Sequence, residues 1–195
     1  MAETESLRRH ALTAIYRPRH FGREPDAPAI ALAVRPAVGI LSLRGHARDA
    51  PFLAAAERAL GIALTTEIGA VAAAPGGQVF ALSPSEWWLV SSGAPVAELP
   101  ALRTIDLSEG RTVMRLAGPR ARDVLAKGCG LDLHPSAFAA GRCTQTPVAH
   151  IGCVLHQVDA TTWDFYVPRS YARHFWEWLT DAASEFGSEV LEPLA

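Results

Sequence analysis

The sequence predicts an α+β fold: two copies of a β-α-β-β unit whose antiparallel or mixed sheets pack against helices. Three observations lead there. First, an apolar run of strand length is twice followed by a glycine joint, a short amphipathic helix and two strands about a polar turn. Second, Gly45 to Trp87 and Gly118 to Trp163 are separated by 42 and 45 residues, and near-equal spacing of this kind marks an internal repeat. Third, the chain closes on one strongly amphipathic helix. Its 195 residues are 49% hydrophobic and 19% charged, the composition of an ordered globular protein.

Residues 1–37 stand outside the repeat. "YRPRHFGREPDAPA" carries Pro18, Pro25 and Pro28 with Gly22 between them. Proline fixes φ and removes a donor, so this stretch reads as an extended N-terminal arm. Tyr16, Arg17 and Phe21 suit it to being held, either by another chain or on its own surface. Residues 38–195 then form a single α+β domain of two repeats, about 38–100 and 101–187.

In the first repeat "VGILSLRG" is a strand broken by Gly45. "HARDAPFLAAAERALG" places Phe52, Leu53, Ala56, Ala59 and Leu60 on one helical face, and Gly61 falls where a left-handed stop belongs. Val79–Leu82 and Trp87–Val90 are strands about "SPSE". In the second repeat "TVMRLAG" is the strand, and Pro119 suits the first helical turn. Ala121, Val124 and Leu125 are the helix's apolar face, and Gly128 ends it. "HIGCVLHQV" and "WDFYV" are strands about "DATT". In the closing helix "SYARHFWEWLTDAASEFG", Tyr171, Phe175, Trp178, Leu179, Ala182 and Phe186 share a stripe, with Ser170 to cap and Gly187 to stop it.

Trp176 lies off that stripe. Trp87 and Trp88 must face opposite sides of one strand. The expectation is therefore that Trp88 or Trp176 is covered by a partner chain, tryptophan being favoured in interface hot spots. Together with Tyr16, Arg17 and Phe21 they form a predicted interface set.

Chemistry is sparse. Net charge is −2, with 18 basic and 20 acidic residues, which calls for neither nucleic acid nor an anionic membrane. The longest apolar run, "PAIALAVRPAVGILSL", is broken by Arg35 and Pro36, too short to span a membrane. The N-terminus lacks a signal-peptide core, so a cytoplasmic location is expected. Cys129, Cys143 and Cys153 form no CxxC pair and read as buried thiols. "LAGPRARD" lacks a phosphate-loop lysine, and Pro119 removes an amide an anion would need. In "HIGCVLH" an alternating strand sends Cys153 away from His150 and His156, so two exposed histidines flanking a buried thiol are expected rather than a zinc site. Asp106 and Glu109 in "DLSEGR" have turn and strand-start roles that account for them. No G-x-S-x-G or papain-like surround is present. No catalytic, cofactor-binding or metal residue is predicted on this chain.

"DLSEGRTVMRLAGPRARDVLAKGCGLDL" and "WDFYVPRSYARHFWEWLTDAA" carry a resemblance. They are similar to the folate-binding domain of glycine-cleavage aminomethyltransferases, in which a G-P-x-A-R joint precedes an F-E-L-Y-V-P strand and a helix with W-x-x-L. The longer run to "HPSAFAAGRCTQT", with the aromatic helix, resembles most the gamma subunit family of heterotetrameric sarcosine oxidases. The resemblance covers about residues 38–187. Aminomethyltransferases place G-Y-T-G-E before F-E-L-Y-V-P, and its glutamate meets folate. Here that place reads "HQVDATTWDFYV", with neither glycine nor glutamate.

The resemblance implies a non-catalytic subunit packed against an alpha subunit, with beta and delta subunits in the same complex. Such complexes oxidise the N-methyl group of sarcosine. They use FAD, FMN, NAD, tetrahydrofolate and zinc, all held on other subunits, and yield glycine with hydrogen peroxide and formaldehyde or 5,10-methylenetetrahydrofolate. Two other readings stay open: a free-standing folate-binding one-carbon protein, and the matching subunit of a related N-methyl amino acid dehydrogenase.

Overall fold

Two antiparallel hairpin systems, each headed by a buried strand, give this chain its layers. The computed structural model describes residues 11–21, 28–36, 38–92 and 99–194. Strands β3 (Val38–Arg44), β4 (Val71–Ala74), β5 (Gly77–Ser83), β6 (Glu86–Ser92) and β7 (Arg103–Asp106) make one sheet in the order β4-β5-β6-β3-β7. The other is ordered β1-β12-β2-β8-β11-β10-β9. It contains β1 (Arg19–Phe21), β2 (Ile30–Arg35), β8 (Arg111–Ala117), β9 (Arg142–Val148), β10 (Ile151–Gln157), β11 (Thr162–Pro168) and β12 (Ser188–Val190). Among the described residues only β12 and β2 pair in parallel.

The repeat is real and one strand longer than expected. Each copy is β-α-β-β-β, with the same order β4-β5-β6-β3 and β9-β10-β11-β8. β4 and β9 escape a reading by apolar pattern. "VAAA" is short, and "RCTQTPV" is polar and holds Pro147, which an edge strand tolerates because one rim of its backbone needs no partner. The strand preceding each copy is exchanged: β2 lies against β8 of the second copy, and β7 against β3 of the first.

This exchange overturns the proposed boundary at residue 37. Ile30–Arg35 is an interior strand, hydrogen-bonded to β8 on one side and β12 on the other. Arg19–Phe21 pairs with Ser188–Val190. Leu12 and Tyr16 are buried in the core outside the larger sheet. The proline-rich sequence hid this because β2's partners lie some 80 and 160 residues downstream. Residues 1–10 and 22–27 of the expected arm lie outside the described residues.

The layers follow from strand alternation. Leu41, Leu43, Val79, Ala81, Trp87 and Leu89 face helix α1 (Ala50–Leu60). Ile40, Phe80, Trp88 and Val90 face the other way, onto Val113, Val154 and Tyr166 of the larger sheet. That sheet's outer face carries helices α2 (Ala121–Ala126) and α3 (Ala172–Ser184). Sheets covered on both faces read as continuous apolar runs, which is why "VGILSL" and "VFAL" show no polar alternation.

Caps hold the helices where local sequence places them. Asp49 accepts from the Phe52 N–H, and Gly61 stops α1 at φ +72° while its N–H donates to the Glu57 carbonyl. Ala59, expected on the buried face, is exposed. At the second joint Gly118 has φ +128°, and a Cβ there would lie 2.2 Å from the Ala29 carbonyl oxygen. Only glycine allows β2 to enter alongside. Helix α2 begins after Pro119, at Ala121. Gly128 is required by packing, because a Cβ would strike the Trp178 ring at 2.5 Å. Ahead of α3, Tyr171, expected on the buried stripe, is 54% exposed, and Ser170 sits with it in a 3-10 turn, Arg169–Tyr171, without capping the helix.

Candidate functional site

The five residues expected at an interface separate in the structure. Trp88 is 3% exposed and Trp176 5%, so this chain covers both itself, and the idea that one needs a partner for burial is corrected. Trp88 lies between the sheets, edge-on to Tyr166 at 6.2 Å, and its Nε1 donates to Glu86. Trp176 is covered by Tyr16, ring centroids 5.1 Å apart. The buried face of α3 is simply wider than the stripe, because residues 11–16 add a second wall. Tyr16 donates from its hydroxyl to the Leu191 carbonyl at 2.6 Å and accepts from the Val34 N–H at 3.3 Å. It therefore fastens the N-terminal segment to β2 and the chain's end. Arg17 is exposed beside it. Phe21 contributes its backbone to β1 opposite Ser188.

At one end of the inter-sheet layer sits a charge cluster that sequence reading missed. Asp164 is 1% exposed. It accepts from Arg115 Nε at 2.7 Å and Nη2 at 2.8 Å, and from Arg35 Nη1 at 2.8 Å. Arg35 also donates to Ser92 Oγ of the opposite sheet. One carboxylate thus ties β2, β8 and β11 together and, through Arg35, reaches β6. Each member is a lone charge in an apolar strand, "IALAVR", "TVMRLA" and "WDFYV", which is the signal available in sequence. Pairing them requires the register of three strands.

His156 is opposite Asp164 in register and 2% exposed, against the expectation of an exposed histidine. Its ring packs on Phe80 at 4.7 Å. Burial pushes it down to about 4, with Arg115 and Arg35 adding to the shift and Asp164 opposing it. It is a neutral core residue at pH 7, and among the described residues no acceptor or donor reaches its Nδ1. His150 sits at φ +64° in the β9–β10 turn, at the far end of the strand. Burial pushes the Cys143 and Cys153 thiols up to about 12, so neither is a ready nucleophile at neutral pH. Among the described residues no three His, Cys, Asp or Glu side chains converge as a metal site, and no helix is long and apolar enough to cross a membrane.

The turn at Asp159 uses its own side chain. Asp159 Oδ1 accepts from the Thr161 N–H at 2.8 Å and its hydroxyl at 3.3 Å. These bonds, led by the Thr161 N–H, hold the carboxyl below its usual range. Asp106 likewise caps Ser108, and Glu109 pairs with Arg169 at 3.4 Å. In the "GPRAR" joint Arg120 pairs with Asp123 at 2.6 Å, and Arg122 donates to the Leu133 carbonyl at 3.0 Å. Both arginines of the joint are thus engaged within the chain.

Comparison with known proteins places this arrangement. A family model described as the sarcosine oxidase gamma subunit family matches residues 44–185. A sarcosine oxidase subunit gamma from an Arthrobacter species is 34% identical over 202 residues, covering 98% of this chain and 97% of that one. The same subunit from Corynebacterium sp. strain P-1 is 38% identical over 162 residues, 78% and 77% of the two chains. Among solved structures, a heterotetrameric sarcosine oxidase from Corynebacterium sp. U-96, in complex with pyrrole 2-carboxylate, contains a chain of similar fold. Its TM-score is 0.75 at 30% identity, covering 85% of this chain and 88% of that one. The glycine cleavage system aminomethyltransferase T of Bartonella henselae shares the fold at TM-score 0.63 and 17% identity, over 85% of this chain and 48% of that chain.

Proposed function

This chain belongs to the sarcosine oxidase gamma subunit family, and from that premise we propose that it is a non-catalytic subunit of a heterotetrameric sarcosine oxidase. It packs against the alpha subunit and shares the complex with beta and delta subunits, in the cytoplasm. FAD, FMN, NAD, tetrahydrofolate and zinc are carried by those other subunits. There the N-methyl group of sarcosine is oxidised, giving glycine, hydrogen peroxide and formaldehyde or 5,10-methylenetetrahydrofolate. The contribution of this chain is assembly and stability.

One observation carries the non-catalytic reading. At the β10–β11 turn, where folate-handling relatives present a glutamate, the carboxylate of Asp159 is turned onto Thr161 of its own loop. The neighbouring Asp164 is taken up by two arginines. A carboxylate oriented onto its own fold is not presented to a ligand in the way a free one would be. Of the expected interface set, Arg17 is exposed, its guanidinium donating to the Tyr16 carbonyl of its own segment.

Co-expression with the three other subunits tests the assignment. A tag on this chain should recover a four-subunit flavoprotein that oxidises sarcosine faster than N-methylglutamate. The isolated chain should give no tetrahydrofolate binding heat. A lone chain that binds tetrahydrofolate in the micromolar range and ignores the other subunits would overturn the reading in favour of a free-standing one-carbon protein.

A further inference from the structure

The two sheets differ beside their exchanged strands. β2 and β7 hold equivalent positions, one against β8 and the other against β3. Beyond β2 the larger sheet continues with β12 and then β1. Beyond β7 the smaller sheet stops, and among the described residues no strand fills the place that β12 fills in the other copy. The backbone of this edge is open to bonding. The Leu107 N–H donates to the Ile40 carbonyl at 2.8 Å, and on the other side of β3 the Gly45 N–H donates to the Ser85 carbonyl at 3.3 Å. Antiparallel ladders alternate along each strand. Arg103 and Ile105 therefore bond inward to β3, and the N–H and C=O groups of Thr104 and Asp106 point outward.

The side chains of the edge are as incomplete as its backbone. Arg103 lies directly opposite Arg44 in register, and like charges so placed repel. Glu86, opposite Arg44 on β6, pairs with Arg44 at 2.8 Å rather than with Arg103. Among the described residues no hydrogen bond or ion pair reaches the exposed Arg103 side chain. Ile105, on the same face two positions on, is 51% exposed. β9, at the far edge of the larger sheet, carries Pro147, a usual block on strand addition. β7 has neither a proline nor a shift of register. We propose that the outer edge of β7 is a docking site for an extended segment of another subunit, which adds a strand to the smaller sheet. The segment sets an acidic side chain opposite Arg103 and an apolar one opposite Ile105.

Strand addition takes its affinity from main-chain hydrogen bonds and its selectivity from alternate side chains. Here charge selects the occupant. A second copy of this chain, pairing antiparallel through the same edge with Thr104 opposite Thr104 or Asp106, would set Arg103 against Ile105 or Leu107. Arg103 would still lack a carboxylate. That the segment comes from a subunit of the same complex rests on the assignment above; the open edge does not.

The four-subunit complex, recovered through a tag on this chain, provides the test. Thr104→Pro removes an outward N–H and leaves the bonds to β3 in place. The lone chain should keep its melting temperature within about 2 °C, while the complex dissociates at a concentration at least about tenfold higher. Arg103→Glu should leave the lone chain at least as stable, because it removes the repulsion with Arg44. It should weaken the complex by at least about tenfold. In the assembled parent, amide exchange at Thr104 and Asp106 should slow by at least about tenfold relative to the lone chain. If Thr104→Pro unfolds the lone chain, Arg103→Glu and the exchange measurement decide. Unslowed exchange, a complex unchanged by Arg103→Glu, or a folded Thr104→Pro chain that assembles like the parent overturns the proposal and leaves the subunit assignment standing. A lone chain that dimerises, and loses the dimer in Thr104→Pro, overturns it in favour of self-pairing. A parent that recovers no other subunit overturns the assignment and the proposal together.

Discussion

Replacing Tyr16 with alanine asks whether the N-terminal segment is part of this fold or an arm awaiting another chain. The ring of Tyr16 covers Trp176, and its hydroxyl links Val34 of β2 to Leu191. Removing a buried aromatic ring costs about 3–5 kcal/mol. Tyr16 lies at the rim of the core, 9% exposed, so the lower end, about 3 kcal/mol, applies. At about 2–4 °C per kcal/mol for a chain of this size, the melting temperature should fall by about 6–12 °C. Tyr16→Phe keeps the ring and loses both hydrogen bonds, for about 1–2 kcal/mol. Circular dichroism melts of the isolated chain measure both. A Tyr16→Ala melting temperature within about 2 °C of the parent, equivalent to under 1 kcal/mol, would refute the reasoning. It would return residues 11–16 to the role of a free arm.

Asp164→Ala should destabilise the chain by about 3 kcal/mol, the low end for breaking a buried pair, because Arg35 and Arg115 are left partly buried without their carboxylate. Denaturant titration should show Asp164→Leu with Arg115→Leu costing less than the sum of the single changes; simple additivity would argue against a coupled cluster. His156 gives a pH dependence of known sign. Its folded pKa of about 4 lies below the ordinary 6.5, so between those values the unfolded chain binds the extra proton. Stability is therefore complete above pH 6.5 and is lost as pH falls toward 4, by about 3 kcal/mol in total. His156→Leu should flatten that part of the stability–pH curve; an unchanged slope would assign it to other groups.

What could be read along the chain and what could not divide by the range of the interaction. Gly61, the paired faces of Trp87 and Trp88, the β5–β6 and β10–β11 hairpins and the α3 helix are legible because each depends on neighbours within about one turn or one strand pair. Trp176 was misassigned because its cover, Tyr16, is 160 positions away. The burial of His156 is not legible in β10's own pattern, because it is the second sheet, through Phe80, that packs on that face. The lone charges Arg35, Arg115 and Asp164 were visible singly, but only strand register makes them one cluster.

By itself the sequence determined the α+β class, the duplication and the similarity to the folate-binding fold, because these follow from periodicity, turn residues and local motifs. Tertiary structure decided the exchange of β2 and β7 between the two sheets, which turned a proline-marked arm into a central strand. It decided which charges are spent inside and which, like Arg103, stand at an open sheet edge. The physical reason is that a strand's hydrogen-bonding partners and a charge's counter-ion are set by folding in space, at separations over which the sequence carries no period.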